Sequence, residues 1–427
     1  MRKTNGEYNP PVTTCGPVRP SERVPVLDIV RGFAIFGILL INVQFYSHPV
    51  RAIFDLRGGT LSPTDGWVIS ITSFLVSEKF FSILALLFGI GMAITFDRAR
   101  ERNGPFLSLY LRRLAGLFLI GISHALLFYA GDYIGNYALL GVVLLAFCYL
   151  RPAVVLTAGL AVLLVPVLMM APYVLQRPAA GPPARAEQVQ KREKMRQERT
   201  RQYIQENVQV YGRGSVTEIF RLRYQETISQ YQSLLYVGWK LLAMLLLGLW
   251  CWKKGLVRSL KEHLGLVRRA MWVSLTVGLA GNALSLYGIL SPSRAGPVLG
   301  LLEIFGQEIG APALGLFYAA GIVLLHYGGR WKTVLGWFAP VGRTAMSNYI
   351  FQSVVCTTLF YAYGFGLYYR TSYAVNLLLA VALFGAQIVL SRLWLRRFDY
   401  GPLEWLLRAF MYRGGGVAVH STMNRIS

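Results

Sequence analysis

Charge is scarce in this chain: Asp, Glu, Lys and Arg together make up 15% of its 427 residues. Soluble domains carry about a quarter, so a soluble multidomain protein is excluded. The 54% apolar content and mean hydropathy of +0.45 point instead to a polytopic membrane protein. Cysteine is scarce as well. Cys15, Cys148, Cys251 and Cys356 are scattered, with no CxxC and no histidine at ligand spacing, so they read as small apolar residues rather than a disulfide framework or a metal site. The period-2 alternation of an outer-membrane barrel is missing, which leaves helices. Also missing are GxSxG, HExxH, Walker A and dinucleotide fingerprints, so any chemistry has to come from residues within the membrane. The first apolar run follows a polar start, is flanked by Arg31 and lacks a small-residue cleavage site; no cleavable signal peptide is expected. Acids are few beside bases, and the net charge is +23. In a soluble chain that excess suggests nucleic acid; here the bases collect at helix ends, where cytoplasmic loops and anionic lipid account for them, and no nucleic-acid partner is expected.

What is present is a series of apolar windows long enough to cross hydrocarbon at 1.5 Å per residue. They fall at 28–46, 71–96, 108–128, 133–150, 153–174, 234–252, 270–290, 308–327, 343–363 and 373–391, about ten spans in an all-α polytopic bundle. Basic clusters test the count. Arg19, Arg23 and Arg31 stand at the start, and Arg98, Arg100, Arg102, Arg112 and Arg113 lie between spans two and three. Arg151, the Lys253–Arg269 cluster, Arg330 with Lys332, and Arg392 with Arg396 and Arg397 follow spans four, six, eight and ten. One side is basic throughout, so both termini are expected in the cytoplasm. The organisation read from this is a polar cytoplasmic tail (1–26), a front five-helix half (27–175), a long hydrophilic external loop (176–232), a rear five-helix half (233–396) and an interfacial helix with a cytoplasmic tail (397–427). The loop is positively charged although external; its middle reads as a solvated helix and 208–224 as an amphipathic return to the membrane.

Polar residues inside spans are costly, and each is a functional candidate with a packing alternative beside it. Arg31 and Asn42 are eleven residues apart on the first span, on one face and about 16 Å apart along the axis, with Asp28 three residues before Arg31. A boundary anchor and a helix-packing amide account for them equally. Arg113 and His124 repeat the eleven-residue spacing on the third span, and Asp132, Asn136 and Tyr137 open the fourth. His124 is the one histidine deep in a span; Asp132 is either its partner or the cap of the next helix. Span nine carries Arg343 at its start and a polar stripe of Thr344, Asn348, Gln352 and Cys356, for which interhelical hydrogen bonding is the alternative. Glu303, Gln307 and Glu308 line a cavity or form an interfacial helix. "RRFDYGPLEWLLR" reads as an interfacial anchor with Trp405 and Arg408 at the headgroups.

The blocks "LDIVRGFAIFGILLINVQFY", "EKFFSILALLFGIGMAI", "RRLAGLFLIGISHALLFYAGDYIGNYALLG", "VGRTAMSNYIFQS" and "FDYGPLEWLLR" run in order over Leu27 to Arg408. Together they resemble the YeiB-like family of bacterial inner-membrane proteins, which carry a domain of unknown function. That family resembles transmembrane acyltransferases such as the lysosomal heparan-glucosaminide acetyltransferase, which moves an acetyl group from cytosolic acetyl-CoA to a sugar amine. The histidine-containing first external loop of that enzyme has no clear copy here; His48 lies in the corresponding loop.

The resemblance implies an inner-membrane acyltransferase. In that reading Arg31, Arg113 and Arg343 bind the donor's phosphates, His124 is a general base held by Asp132, and Asn42, Asn348 or Gln352 stabilises the oxyanion. Asn136, Tyr137 and Glu308 complete a polar cavity. Acyl-CoA is the donor substrate, with no tightly bound cofactor and no metal; the partners are the bilayer and a small-molecule, lipid or sugar acceptor, and a homo-oligomer is compatible. The alternative is a proton-coupled transporter with His124 or Glu308 carrying the proton. A membrane scaffold using the external loop is the third reading.

Overall fold

A computed structural model describes residues 24–54, 62–101, 104–176, 183–290 and 297–412. Cys15, Arg19, Arg23, Arg102, the terminal tails and the Pro/Gly start of the long insertion therefore lie outside the described residues. The chain is helical throughout, with no strand among the described residues. In order the helices are α1 (Pro25–Ser47), α2 (Val50–Phe54), α3 (Pro63–Leu75), α4 (Lys79–Glu101), α5 (Phe106–Leu127), α6 (Ile134–Leu145), α7 (Pro152–Leu175) and α8 (Pro183–Arg213). They continue as α9 (Val216–Lys253), α10 (Leu264–Leu290), α11 (Pro297–Tyr327), α12 (Lys332–Leu335), α13 (Phe338–Arg343), α14 (Ala345–Phe360), α15 (Tyr373–Arg397) and α16 (Pro402–Met411).

Each of the ten apolar windows falls on helix. Among the described residues eight helical stretches are long and apolar enough to span a bilayer, while α6 and α14, with 12 and 16 residues, are shorter. The second window divides: α3 ends at Leu75 and α4 begins at Lys79, with Glu78 at a positive φ of 67° between them. The ninth window is built from α13 and α14, which meet at Thr344.

Local chemistry sets the helix starts. Proline occupies the first turn of α1, α3, α7 and α16, where its missing N–H has no intrahelical acceptor to lose. Ser62 and Ser372 cap α3 and α15 through their hydroxyls, and Ser215 with Glu218 forms a capping box at α9. That box starts α9 directly after Gly214, and the helix runs unbroken across residue 232, where the external loop was expected to end.

Helix α1 is central: it packs on α4, α13, α14 and α15, and 67% of its apolar window is buried, against 17% for α7. A helix buried all round needs no polar face, so α1 reads as one apolar run broken only by residues that have a buried task. The outer helices α7, α10 and α15 turn leucine and valine outward, among them Leu160, Leu168, Val277, Leu378 and Val389, as a lipid-facing surface requires. Front and rear helices interleave, α4 against α9 and α1 against α13.

Candidate functional site

Two close backbone approaches build the site. The first joins α1 to α13: a β-carbon on Gly32 would lie 2.0 Å from the Phe338 carbonyl oxygen, and one on Gly342 would lie 1.8 Å from that of Asp28. Only glycine permits this contact, and it brings Arg31 beside Arg343. Arg31 Nη1 donates to Asp28 Oδ1 at 2.7 Å and reaches the Gly342 carbonyl at 3.4 Å. The second joins α5 to α6, where a β-carbon on Gly121 would lie 2.4 Å from the Gly135 nitrogen. That contact folds the 128–133 turn back over α5 and carries Asp132 to His124.

A cavity of about 660 Å³ opens at the first approach and runs towards the second. Arg31, Arg98, Arg113, Arg258, Arg343 and Arg408 surround its wide end, with Asp28, Asp97, Glu101 and Glu404 among them. Asp97 is held by the Arg258 guanidinium and by Trp252 Nε1 at 2.6 Å. Among the described residues Arg113 has no acidic partner: Nη1 donates to Thr95 Oγ1 at 3.4 Å, and the guanidinium stands 5.2 Å from the Phe88 ring centre. Farther in, the wall is Ile35, Ile38, Phe81, Leu84, Leu117 and Ile134, and it ends on Tyr133, Tyr137 and Tyr349. Helix α16 forms part of the wall, presenting Glu404, Leu407 and Arg408 to the cavity while Trp405 stays exposed. Glu404 also caps α14, accepting from the Met346 nitrogen at 2.7 Å and from Ser347 Oγ at 2.5 Å. The piece read as an anchor therefore shapes the mouth.

Behind Tyr349, whose ring centre is 5.1 Å from that of His124, lies a buried hydrogen-bonded chain. His124 Nδ1 is 2.9 Å from Asp132 Oδ1, and Asp132 Oδ2 accepts from the Gly135 nitrogen at 2.7 Å. One carboxylate thus holds both the histidine and the first turn of α6, although the N-cap position itself is Tyr133. His124 Nε2 is 2.7 Å from Ser353 Oγ, which is 2.6 Å from Tyr46 Oη. Read with Asp132 as a carboxylate, which only accepts, the hydrogen-bond pattern assigns the ring proton to Nδ1 and makes Nε2 the acceptor. Ser353 then donates to His124, and Tyr46 donates to Ser353. All four side chains are almost fully excluded from solvent.

The other candidates divide. Tyr137 lines the cavity and donates to the Phe81 carbonyl at 2.8 Å. Asn42 is 2% exposed and its Nδ2 has no partner among the described residues; it lies one turn from Ile38 and one from Tyr46 on the same face of α1. Asn136 is equally buried, with Oδ1 unpartnered. Asn348 and Gln352 turn away from the cavity: Asn348 Nδ2 donates to Thr344 Oγ1 at 2.8 Å and Ser391 Oγ at 2.9 Å, and Gln352 Nε2 donates to Gln387 Oε1 at 2.9 Å. These amides tie α14 to α15, the packing alternative. Glu308 is also elsewhere, 3.4 Å from Lys240 Nζ, which is 2.7 Å from Glu78 Oε2; none of these three lines the cavity. His48 follows α1, 2.8 Å from Ser47 Oγ and stacked on Tyr373 at 4.0 Å; burial pushes it down to about 4, with Asp65 opposing the shift. Among the described residues no three His, Cys, Asp or Glu side chains gather as metal ligands.

Sequence reasoning missed Ser353 and Tyr46. Ser353 is one position off the Asn348–Gln352 stripe, and its faint signal is its turn-by-turn alignment with Tyr349 and Thr357.

The fold defines the class, a polytopic α-helical membrane protein whose polar cluster lies within the bundle. The chain belongs to the DUF418 family. A family model described as "Protein of unknown function (DUF418)" matches residues 251–414. The uncharacterized protein YxaH of Bacillus subtilis is 33% identical over 93% of this chain and 96% of its own length. YeiB of Escherichia coli, also uncharacterized, is 30% identical over 94% and 99%. An uncharacterized 39.9 kDa protein of Bacillus acidopullulyticus is 26% identical over 93% and 96%. No solved structure matches.

Proposed function

We propose that the protein is an acyltransferase of the bacterial inner membrane, taking an acyl group from an anionic donor of the acyl-CoA kind to a hydroxyl or amine acceptor. The observation that carries this reading is the cavity, whose lining includes both a group of arginines and Tyr349, the tyrosine packed on His124. Guanidinium forks suit a phosphate-bearing head, and the apolar middle suits an acyl chain or pantetheine arm. On α5 the eleven residues from Arg113 to His124 cover about 16 Å, so a head at the arginines leaves the thioester near the histidine. His124, with Nδ1 on a carboxylate and Nε2 accepting, has the tautomer of a general base. The arginine end is taken as cytoplasmic, the side where the positive-inside rule gathers short-loop arginines.

The test is release of free thiol from acetyl-CoA and palmitoyl-CoA by purified protein in nanodiscs with a mixed amine and sugar acceptor pool. Turnover should fall at least roughly 10²-fold in His124→Ala. Equal turnover in the variant removes His124 from the chemistry, and none in the wild type removes the reading.

One observation favours the transporter alternative: buried Lys240 with the partly exposed Glu78 and Glu308 forms a titratable cluster of the sort proton-coupled carriers use. Uptake driven by a pH gradient in proteoliposomes, abolished by Glu308→Gln, would favour it.

A further inference from the structure

The bonds around His124 leave its base function one outlet. Nδ1 is taken by Asp132 and Nε2 by Ser353, so an acceptor approaching the ring meets no free nitrogen. The proton that His124 is placed to remove is that of Ser353. We propose that Ser353 is the nucleophile, and that transfer passes through an acyl ester on its Oγ; this rests on the acyl-transfer reading above.

Three further features of the site support the assignment. Ser353 Oγ lies 2.7 Å from His124 Nε2 and 2.6 Å from Tyr46 Oη, with the Tyr349 carbonyl a longer contact at 3.4 Å, so its hydroxyl is oriented rather than rotating. Tyr349, one turn earlier on α14, both lines the cavity and packs on His124, so Ser353 lies directly behind the wall at which the cavity ends. Asn42 supplies a buried donor with no partner, one turn from Tyr46 and one from the cavity-lining Ile38. An orphan donor inside a bundle is costly. It is of use where negative charge forms during a reaction.

In the first half-reaction Ser353 Oγ attacks the donor's carbonyl carbon and its proton passes to His124 Nε2. Asn42 Nδ2 donates to the resulting oxyanion. The carbon–sulfur bond then breaks, and the thiolate takes the proton from His124 to leave as a thiol. In the second half-reaction the acceptor's hydroxyl or amine attacks the Ser353 ester, giving its proton to His124. Ser353 Oγ departs and recovers that proton, so no oxidant or reductant is needed. Asp132 stays ionised, fixing the ring and stabilising the imidazolium. Tyr349 has to swing aside for the carbonyl to reach Oγ.

Two probes separate this proposal from the transfer reading it rests on. A long-chain alkyl fluorophosphonate reports an activated serine without any acyl donor, and palmitoyl-CoA without acceptor reports the ester itself. Peptide mass spectrometry of the full-length protein should find both adducts on Ser353. Labelling should fall roughly 10³-fold or more in Ser353→Ala and His124→Ala, while Ser353→Cys should hold a palmitoyl thioester cleaved by hydroxylamine, which keeps the test valid if the alanine variant folds poorly. Donor turnover at the wild-type rate in Ser353→Ala overturns the nucleophile and leaves direct transfer by His124. Phosphonate labelling of Ser353 with no turnover of any acyl donor upholds the activated serine but overturns the acyl-ester step together with the transfer reading. A folded wild type that takes neither label overturns the proposal.

Discussion

Gly121→Ala should break the His124–Asp132 pair without touching either residue. Gly121 lies one turn before His124, and an added β-carbon would stand 2.4 Å from the Gly135 nitrogen and 2.7 Å from Asp132 Oδ2. Ordinary contact begins at 3.4 Å, so α6 has to withdraw by about 1 Å. The His124–Asp132 bond is 2.9 Å and would lengthen to about 3.9 Å, beyond hydrogen-bond reach. Overpacking of this kind costs about 1–3 kcal/mol of stability, whereas a base that loses its orienting carboxylate loses roughly 10²–10⁴ in rate. Phosphonate labelling of Ser353 and thiol release from acyl-CoA read the second effect, and the thermal midpoint in the same detergent reads the first. Gly385→Ala is the control, since a β-carbon there meets nothing within 4 Å. Labelling and turnover at wild-type rates in Gly121→Ala would refute the claim that this glycine contact sets the pair.

Other expectations follow from the same geometry. Arg113→Gln removes a cavity guanidinium that has no acidic partner among the described residues, so KM for acyl-CoA should rise roughly 10–100-fold with kcat nearly unchanged, and an uncharged ester donor should show no such rise. Asn42→Leu removes an orphan donor: activity should drop roughly 10²–10³-fold while the thermal midpoint holds or rises, and a parallel loss of both would make Asn42 structural. His48 is held neutral, at about 4 against an ordinary 6.5, so the unfolded chain takes up a proton the folded one refuses between these values. Stability is complete above pH 6.5 and falls by about 3 kcal/mol towards pH 4; thermal midpoints across that range should slope in wild type and flatten in His48→Gln, and equal slopes would discount His48. Glu308→Gln should leave thiol release unchanged, because its ion pair lies outside the cavity.

Spacing made part of this legible. The eleven-residue steps from Arg31 to Asn42 and from Arg113 to His124 put a base at the mouth and a polar group deeper on two helices. Both arginines and Arg343 are among the residues that line the cavity. What spacing does not carry is which face of a helix meets which neighbour. Asn348 and Gln352 lie on the α15 side of α14, and the adjacent Ser353 faces His124, a difference of one residue that a serine beside a stripe of larger polar residues does not announce. Glu308 was read with the cavity because a buried acid invites it, but Lys240 on α9 lies in the other direction and claims it. The pairing of His124 with Asp132 depends on a turn at which Gly121 and Gly135 come into close contact, and glycines in an apolar helix have many reasons to be there.

The most direct test of the account is a structure of the protein bound to a non-hydrolysable thioether analogue of palmitoyl-CoA. The account predicts the phosphates against Arg113 with Arg31 and Arg343, Tyr349 displaced, and the carbon standing for the thioester carbonyl within reach of Ser353 Oγ. An analogue bound outside the cavity, or a closed Tyr349 wall with the ligand in place, would contradict it.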